Sequence, residues 1–140
     1  MIPTIEKVLF LKSVEIFKKI PAENLSRVAY IAQEVNFAKD ELIIKQGDEG
    51  DCLYIILQGS VKILVNEKEV AQLGEKAVVG EMAILDNEPR SASVVAPDAV
   101  TALRIDQEDF YQLMNEKSEI SYGIIQYLIH RLREANKKKG

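Results

Sequence analysis

The middle of the chain, residues 34–105, is a succession of short β-prone runs separated by turn residues. Runs of this kind, bounded by Gly, Asn or Asp, are typical of strands joined by tight connections. The predicted strands are Glu34–Lys39, Glu41–Gln46, Cys52–Gln58, Ser60–Asn66, Glu69–Leu73, Ser91–Ala96 and Val100–Ile105. Strands at this density indicate a β-sandwich or a β-barrel, so the fold class is expected to be mainly β.

The segments on either side of these runs have the spacing of amphipathic helices. In residues 4–32 the apolar side chains recur every three or four positions, and Pro21 interrupts the pattern, so at least two helical segments joined by a bend are predicted. Asp106 is expected to cap a further helix, and a long amphipathic helix is expected from Ser118. The predicted organisation is one domain over 1–140, with a helical segment at 1–33, a β-barrel at 34–105 and C-terminal helices at 106–138.

The composition excludes several classes of protein. No apolar run approaches the roughly 18 residues that a membrane span needs, and the first residues do not have the pattern of a secretory signal. Since the single Cys52 has no partner for an internal disulfide, a reducing cytoplasm is the expected location. The net charge is −4, and residues 131–140 carry five basic side chains and one acid, or +4, which leaves −8 for the rest. Nucleic-acid binding through this domain is therefore not expected.

Catalytic and metal chemistry have no candidate residues. His130 is the only histidine, and Cys52 has no histidine near it in the sequence. There is no glycine-rich loop that ends in Gly-Lys-Ser or Gly-Lys-Thr, so a P-loop is not indicated. We expect no enzyme activity, no metal site and no cofactor.

The residues Gly80–Ala96 suggest a phosphate pocket. Gly80 opens a short helical turn, and the first turn of a helix presents backbone N–H groups that have no partner within the helix. Arg90, directly before a β-branched run, would add a planar fork for two phosphate oxygens, a contact worth about 1.5–3 kcal/mol. Glu81 could accept a hydrogen bond from a ribose hydroxyl. The alternatives are a surface arginine at Arg90, a helix-capping acid at Glu81 and an ordinary strand residue at Ser91.

The runs Gly80–Leu85 and Pro89–Val94 resemble the phosphate-binding cassette of the cyclic nucleotide-binding domain family. That family includes the regulatory subunits of protein kinase A and the bacterial catabolite activator proteins. The resemblance extends back through Gln46–Asp51, Tyr54–Ile56 and Gln58–Gly59, and it covers roughly residues 5–136. It implies an eight-stranded jelly-roll barrel (a double-stranded β-helix), flanked by N-terminal helices and a C-terminal helical lid, with the cassette at 80–93. The loop Gly74–Val79 departs from the family pattern, because it lacks a second glycine and an aromatic residue.

The resemblance also implies a function and a set of site residues. It implies a bacterial-type sensor of cyclic AMP, with cyclic GMP as the other ligand, that transmits binding through movement of its flanking helices as Ile84 repacks. The implied ligand-binding residues are Ile63, Gly80, Glu81, Met82, Ala83, Arg90, Ser91, Ala92 and Asn136. Ile63 would contact the ribose and Asn136 the base, and the alternative at the base is stacking by the guanidinium of Arg131 or Arg133. The alternative function is that of a degenerate barrel that serves protein–protein interaction without nucleotide binding. The partners left open are a second copy of the chain in a homodimer and an effector domain, either fused or separate.

Overall fold

The computed structural model describes residues 2–139. Within these residues the chain forms two compact units, one consisting of Ala32–Asp109 and the other of Ile2–Ile31 together with the chain from Phe110 onward. No helix among the described residues is long and apolar enough to cross a membrane. The single domain over 1–140 stays a prediction.

The first unit contains eight antiparallel strands arranged in two four-stranded sheets. The strands are β1 (Gln33–Phe37), β2 (Leu42–Ile44), β3 (Cys52–Gln58), β4 (Val61–Val65), β5 (Lys68–Leu73), β6 (Val78–Val79), β7 (Ser93–Val95) and β8 (Val100–Asp106). One sheet has the order β1-β8-β3-β6 and the other the order β2-β7-β4-β5. Because each sheet joins strands that are distant in sequence, the topology is that of a jelly roll, which confirms the predicted fold class.

The strand that the sequence pattern missed is β6. It is only two residues long, and Val79 and Val78 pair with Tyr54 and Ile55 of β3. A two-residue strand has no alternation that a sequence pattern could reveal, and its position depends on β3, more than twenty residues earlier.

Inward-facing side chains of both sheets form the core of this unit. Five consecutive residues of β3, Cys52–Ile56, are buried. The aromatic rings of Phe37 and Tyr54 meet edge to face with their centroids 5.5 Å apart. The buried cluster consists of Ile44, Cys52, Tyr54, Ile56, Val61, Val79, Val94, Ala96, Val100 and Ala102. At about 1.5–3 kcal/mol for each large apolar side chain, burial of this kind holds the two sheets together.

Five α-helices accompany the strands. They are α1 (Thr4–Lys12), α2 (Ala22–Ile31), α3 (Glu81–Asp86), α4 (Gln107–Glu116) and α5 (Ser118–Lys139). A 3-10 turn, Glu15–Phe17, lies between α1 and α2. The helical pattern predicted before Pro21 breaks earlier than expected, because the Ser13 hydroxyl donates a 2.6 Å hydrogen bond to the carbonyl of Phe10 and ends α1. The predicted bend at Pro21 is confirmed.

Residues of the 3-10 turn and the chain after it pack on the helices of the second unit. Phe17 and Phe110 of α4 lie edge to face with ring centroids 6.4 Å apart. Gly123 of α5 lies so close to Ile20 that an added Cβ would come within 2.6 Å of the Ile20 Cγ1 atom. The buried side of α5 is therefore the side that carries Gly123.

Candidate functional site

The side chain of Arg90 is buried within the first unit, with 7% of its surface exposed. Its Nη1 donates to the carbonyl of Gly80 at 2.9 Å, and its Nη2 donates to the carbonyl of Cys52 at 2.7 Å. Nη2 also lies 3.7 Å from the Cys52 sulfur. The guanidinium is thus fixed between the residue before α3 and the first residue of β3.

The backbone of Arg90 is held as firmly as its side chain. The Arg90 N–H donates to the carbonyl of Asp48 at 2.8 Å, and the Arg90 carbonyl accepts from the N–H of Gly47 at 2.9 Å. These two bonds join the chain before β7 to the turn before β3. The position of the guanidinium is therefore set by both the main chain and the side chain.

Two glycines allow the close packing around the guanidinium. An added Cβ at Gly80, whose φ is +87°, would collide with Nη1 of Arg90. An added Cβ at Gly50 would lie 2.5 Å from the Ala83 Cβ and 3.3 Å from the Arg90 Cζ. Gly50 therefore lies between α3 and the arginine, and any side chain there would force the two apart.

The charge of Arg90 has no counterpart among the described side chains. Its hydrogen bonds go to two carbonyls and a sulfur, and none of the ion pairs formed by the described residues includes it. Of the five N–H donors of a guanidinium, these bonds engage three, so two remain for another acceptor. Because burying a cation without an anion costs several kcal/mol, the site is suited to an anionic group.

Glu81 is the first residue of α3 and is also buried, with 9% of its surface exposed. The end of this short helix is fixed from within the same unit. The side-chain amide of Gln107 donates to the carbonyl of Ile84 at 3.0 Å and to Oδ1 of Asn87 at 2.8 Å. Asn87 itself has a φ of +58°, a conformation that asparagine tolerates better than most residues. The helix that carries Glu81 is thus fixed at its start by Arg90 and at its end by Gln107.

Residues 34–117 match the family model of the cyclic nucleotide-binding domain. The chain belongs to the cyclic nucleotide-binding domain family. It is 39% identical over 106 residues to the cAMP-dependent protein kinase regulatory subunit of Candida albicans, a match that covers 76% of this chain and 23% of the relative. It is 32% identical over 121 residues to cGMP-dependent protein kinase, isozyme 2 forms cD5/T2, of Drosophila melanogaster, covering 81% of this chain and 13% of the relative. The chain thus spans less than a quarter of the length of either relative.

Solved structures share the fold. The N-terminal domain of a transcriptional regulator from Streptomyces coelicolor A3(2) superposes with a TM-score of 0.81 at 25% identity, covering 91% of this chain and 95% of that chain. The regulatory subunit of a cAMP-independent protein kinase A from Trypanosoma brucei superposes with a TM-score of 0.77 at 26% identity, covering 97% and 52%. The proteins that share this family or fold thus have names that refer to different cyclic nucleotides.

The other predicted residues of the cassette lie on α3 and before β7. Ala83 is buried against Gly50, whereas Met82 is 51% exposed. Ser91 is exposed and Ala92 is half-buried. The structure therefore brings Gly80, Ala83 and Arg90 close together, with Glu81 buried at the start of α3 and with Met82 and Ser91 exposed.

Two predicted site residues lie outside the cassette. Ile63 is half-buried on β4 and is paired with Val94 of β7, the strand that follows the cassette. Asn136 is exposed on α5, which belongs to the second unit, and its contact with a base stays a prediction.

Gly50 and Cys52 contribute to the site although the sequence did not single them out for it. The run Gln46–Asp51 carried part of the family resemblance, but nothing in it indicated that Gly50 would contact Arg90, forty residues later. The shorter of the two contacts of Cys52 with Arg90 is made by its carbonyl, a group that every residue has. A sequence pattern gives no signal for that kind of contact.

The titratable groups on the inner face of β3 favour their neutral forms. Burial raises the pKa of the Cys52 thiol, so this cysteine is a poor nucleophile. Burial, followed by a hydrogen bond with Cys52, raises the pKa of Tyr54 to about 12. Arg104 stays charged, since a 2.8 Å hydrogen bond to Asp106 raises its pKa. Among the described residues, no group of three or more His, Cys, Asp or Glu side chains could hold a metal ion.

Proposed function

We propose that this chain is a regulatory module that binds a cyclic nucleotide in the cluster around Arg90. The observation that supports this most is the buried guanidinium with two remaining donors and no carboxylate partner among the described residues. A singly charged cyclic phosphate would supply the missing anion and accept those donors. Family membership supports the same ligand class.

Each residue of the cassette has a separate role in this proposal. Arg90 pairs with the exocyclic phosphate oxygens, and backbone N–H groups at the start of α3, from Gly80 to Ala83, add further donors. The carboxylate of Glu81 accepts a hydrogen bond from the ribose 2′-hydroxyl. Ile63 provides an apolar contact for the ribose, and Ser91 and Ala92 line the edge of the site.

We propose cyclic AMP as the preferred ligand, with Asn136 contacting the base. This preference rests on the resemblance of the Arg-Ser-Ala sequence at residues 90–92 to cyclic AMP receptors. The similar proteins differ in name on this point, since one is cAMP-dependent, one cGMP-dependent and one cAMP-independent. Both cyclic nucleotides therefore belong in the first experiment.

Signalling requires that the ligand favour one arrangement of the cassette over another. The contacts of Arg90 are a source of such a difference, because they link the start of α3 to β3. Movement of α3 would be passed on through the buried Ile84 to the flanking helices. We propose a regulatory rather than a catalytic role, in the cytoplasm, where a free and buried Cys52 would stay reduced.

The proposal is tested by isothermal titration calorimetry with cyclic AMP, cyclic GMP and the open-chain nucleotide 5′-AMP. We expect saturable binding of a cyclic nucleotide, tighter for cyclic AMP, and much weaker binding of 5′-AMP because its doubly charged phosphate has a different shape. Absence of binding by either cyclic nucleotide would favour the degenerate barrel that serves protein–protein interaction.

A further inference from the structure

The outer face of α5 carries a continuous stripe of exposed apolar side chains. The stripe consists of five residues that are 36–62% exposed, namely Tyr122, Ile125, Leu128, Ile129 and Leu132. The opposite face packs within its own unit, where Ile120 and Ile124 are at most 3% exposed. Because a contiguous apolar patch of this kind marks an interaction surface, the stripe is available to a partner and is not needed for the fold.

The stripe forms one broad arc around the helix axis. At about 100° per residue, its five members lie within about 120° of one another. The two acids of α5, Glu119 and Glu134, lie at least about 60° beyond the edges of this arc. The stripe therefore carries no negative charge of its own.

Basic side chains follow the stripe on both of its edges. Arg133 and Lys137 lie beyond one edge of the arc, and Arg131 and Lys138 lie beyond the other. All four are exposed. Residues 131–138 contain these four basic side chains and one acid, or +3. An apolar arc with cations along both edges is typical of helices that lie in a membrane interface, where long basic side chains reach the headgroups.

We infer that α5 lies on the surface of a membrane that contains anionic lipids, with the stripe among the upper parts of the acyl chains. In this position both edges of the arc face lipid headgroups, so cations on either side of the stripe meet phosphate groups at once. Tyr122 suits the same boundary, because its ring is apolar and its hydroxyl is polar. Since α5 is not apolar enough to cross a membrane, it would lie in the plane of the surface.

The basic side chains of α5 are available for lipid phosphates. Arg133 and Lys138 form no ion pair within the part of the chain that the structure describes. Lys137 Nζ lies 3.5 Å from Oε1 of Glu134, but both side chains are largely exposed, so this pair adds little stability. Arg131 donates from Nη1 to the hydroxyl of Tyr127 at 3.2 Å, which leaves its other donors for a ligand.

The charge of the rest of the chain limits the contact to α5. Residues 131–140 carry +4, whereas the remainder of the chain carries −8. An anionic surface attracts the first region and repels the second within a Debye length of about 10 Å. The end of α5 would therefore approach the membrane first, and the other parts of the chain would stay in water.

Co-sedimentation with sucrose-loaded vesicles tests the inference. We expect the protein to bind vesicles of phosphatidylcholine with about 30% phosphatidylglycerol at least about tenfold more tightly than vesicles of phosphatidylcholine alone. Raising NaCl from about 0.1 M to about 1 M should remove most of this difference. No nucleotide is added, so the result is independent of the proposed function. Binding to neither vesicle, or equal binding to both, would overturn the inference and leave the stripe to a protein partner.

Variants separate the apolar contribution from the charge. Leu132→Ala should weaken binding to the anionic vesicles about tenfold, because a buried leucine side chain is lost. Its matched control is Leu9→Ala on α1, where the leucine is 68% exposed and lies outside the stripe. Circular dichroism checks that both variants fold. Equal effects of the two variants would overturn the inference.

The cations are tested in the same way. The double variant Arg133→Gln with Lys137→Gln should weaken binding at least about tenfold, since each cation near an anionic surface contributes. The matched control is Arg27→Gln with Lys68→Gln, which removes the same charge from exposed positions outside α5. If the control weakens binding as much as the first variant does, the contact is not made by α5 and the inference is overturned.

A fluorescent label shows which face of α5 enters the lipid. Cys52 is only 2% exposed, so a polarity-sensitive thiol reagent should react with a newly introduced cysteine. A label on Ile129→Cys, within the stripe, should shift its emission to the blue when anionic vesicles are added. A label on the neighbouring His130→Cys, which is exposed but about 80° outside the arc, should not. A shift at both positions, or at neither, would overturn the inference.

Discussion

Arg90 and Gly80 are joined by a 2.9 Å hydrogen bond from Nη1 of the arginine to the carbonyl of the glycine. The bond connects the residue directly before α3 with a residue that lies three positions before β7. Gly80 is also the residue at which a side chain would collide with Nη1. The arginine that we propose to bind phosphate is thus joined directly to the start of α3. Changes at either residue should therefore affect both ligand binding and the stability of the protein.

Arg90→Ala is expected to weaken cyclic nucleotide binding by about 2–4 kcal/mol, because the buried phosphate loses its charged partner. The bonds to two carbonyls predict in addition a loss of about 1–2 kcal/mol in the free energy of unfolding. Calorimetry and urea denaturation measure the two effects. Arg27→Ala, at an exposed arginine of α2, is the control, and an affinity within twofold of the parent would contradict the phosphate assignment.

Glu81→Gln should weaken binding less than Arg90→Ala does. The amide oxygen can still accept a hydrogen bond from the ribose hydroxyl, but without the charge that strengthens it. A 2′-deoxy cyclic nucleotide should lose a similar amount of affinity in the parent protein and little more in the variant. If the 2′-deoxy analogue binds the parent as tightly as the normal ligand, Glu81 does not recognise the ribose.

Gly50→Ala tests whether the close approach of α3 and Arg90 matters for the site. The new Cβ would lie 2.5 Å from the Cβ of Ala83, so α3 must shift, and we expect a loss of about 1–3 kcal/mol in stability together with weaker ligand binding. Gly74→Ala is the matched control, since an added Cβ there meets nothing within 4 Å. Thermal denaturation and calorimetry should show a large effect for the first variant and almost none for the second. Equal behaviour would show that the contact at Gly50 is easily relieved.

The sequence predicted those features of the fold that local pattern encodes. Strand-length runs bounded by turn residues revealed seven of the eight strands, and the apolar spacing after Ser118 revealed α5. The features it missed depend on contacts between distant residues. The pairing of β6 with β3 is one example, and the bond from Arg90 to the carbonyl of Cys52, 38 residues earlier, is another. In the second case the residue type at position 52 gives no signal, because the main chain makes the contact.

Tyr54 gives a prediction about alkaline pH. Burial is the main reason that its pKa is raised from 10.0 to about 12, so the folded state favours the neutral phenol. The resulting stabilisation, of order 2–3 kcal/mol, is fully present below pH 10 and is lost as the pH rises towards 12. Tyr54→Phe should flatten the dependence of unfolding free energy on pH in this window, whereas Tyr122→Phe, at an exposed tyrosine, should not. If Tyr54→Phe has the same slope of unfolding free energy against pH as the parent protein, the raised pKa of Tyr54 is contradicted.

The last prediction concerns the end of α5, which we propose to contact the base through Asn136. If this segment acts as a lid, its last turns should fray without ligand and gain order on binding, at an entropic cost that lowers the apparent affinity. Hydrogen exchange on residues 128–138 should then slow when cyclic AMP is added. Asn136→Ala should reduce the preference for cyclic AMP over cyclic GMP while leaving the role of Arg90 intact. Unchanged protection despite demonstrated binding would mean that α5 is no lid and that the base is recognised elsewhere.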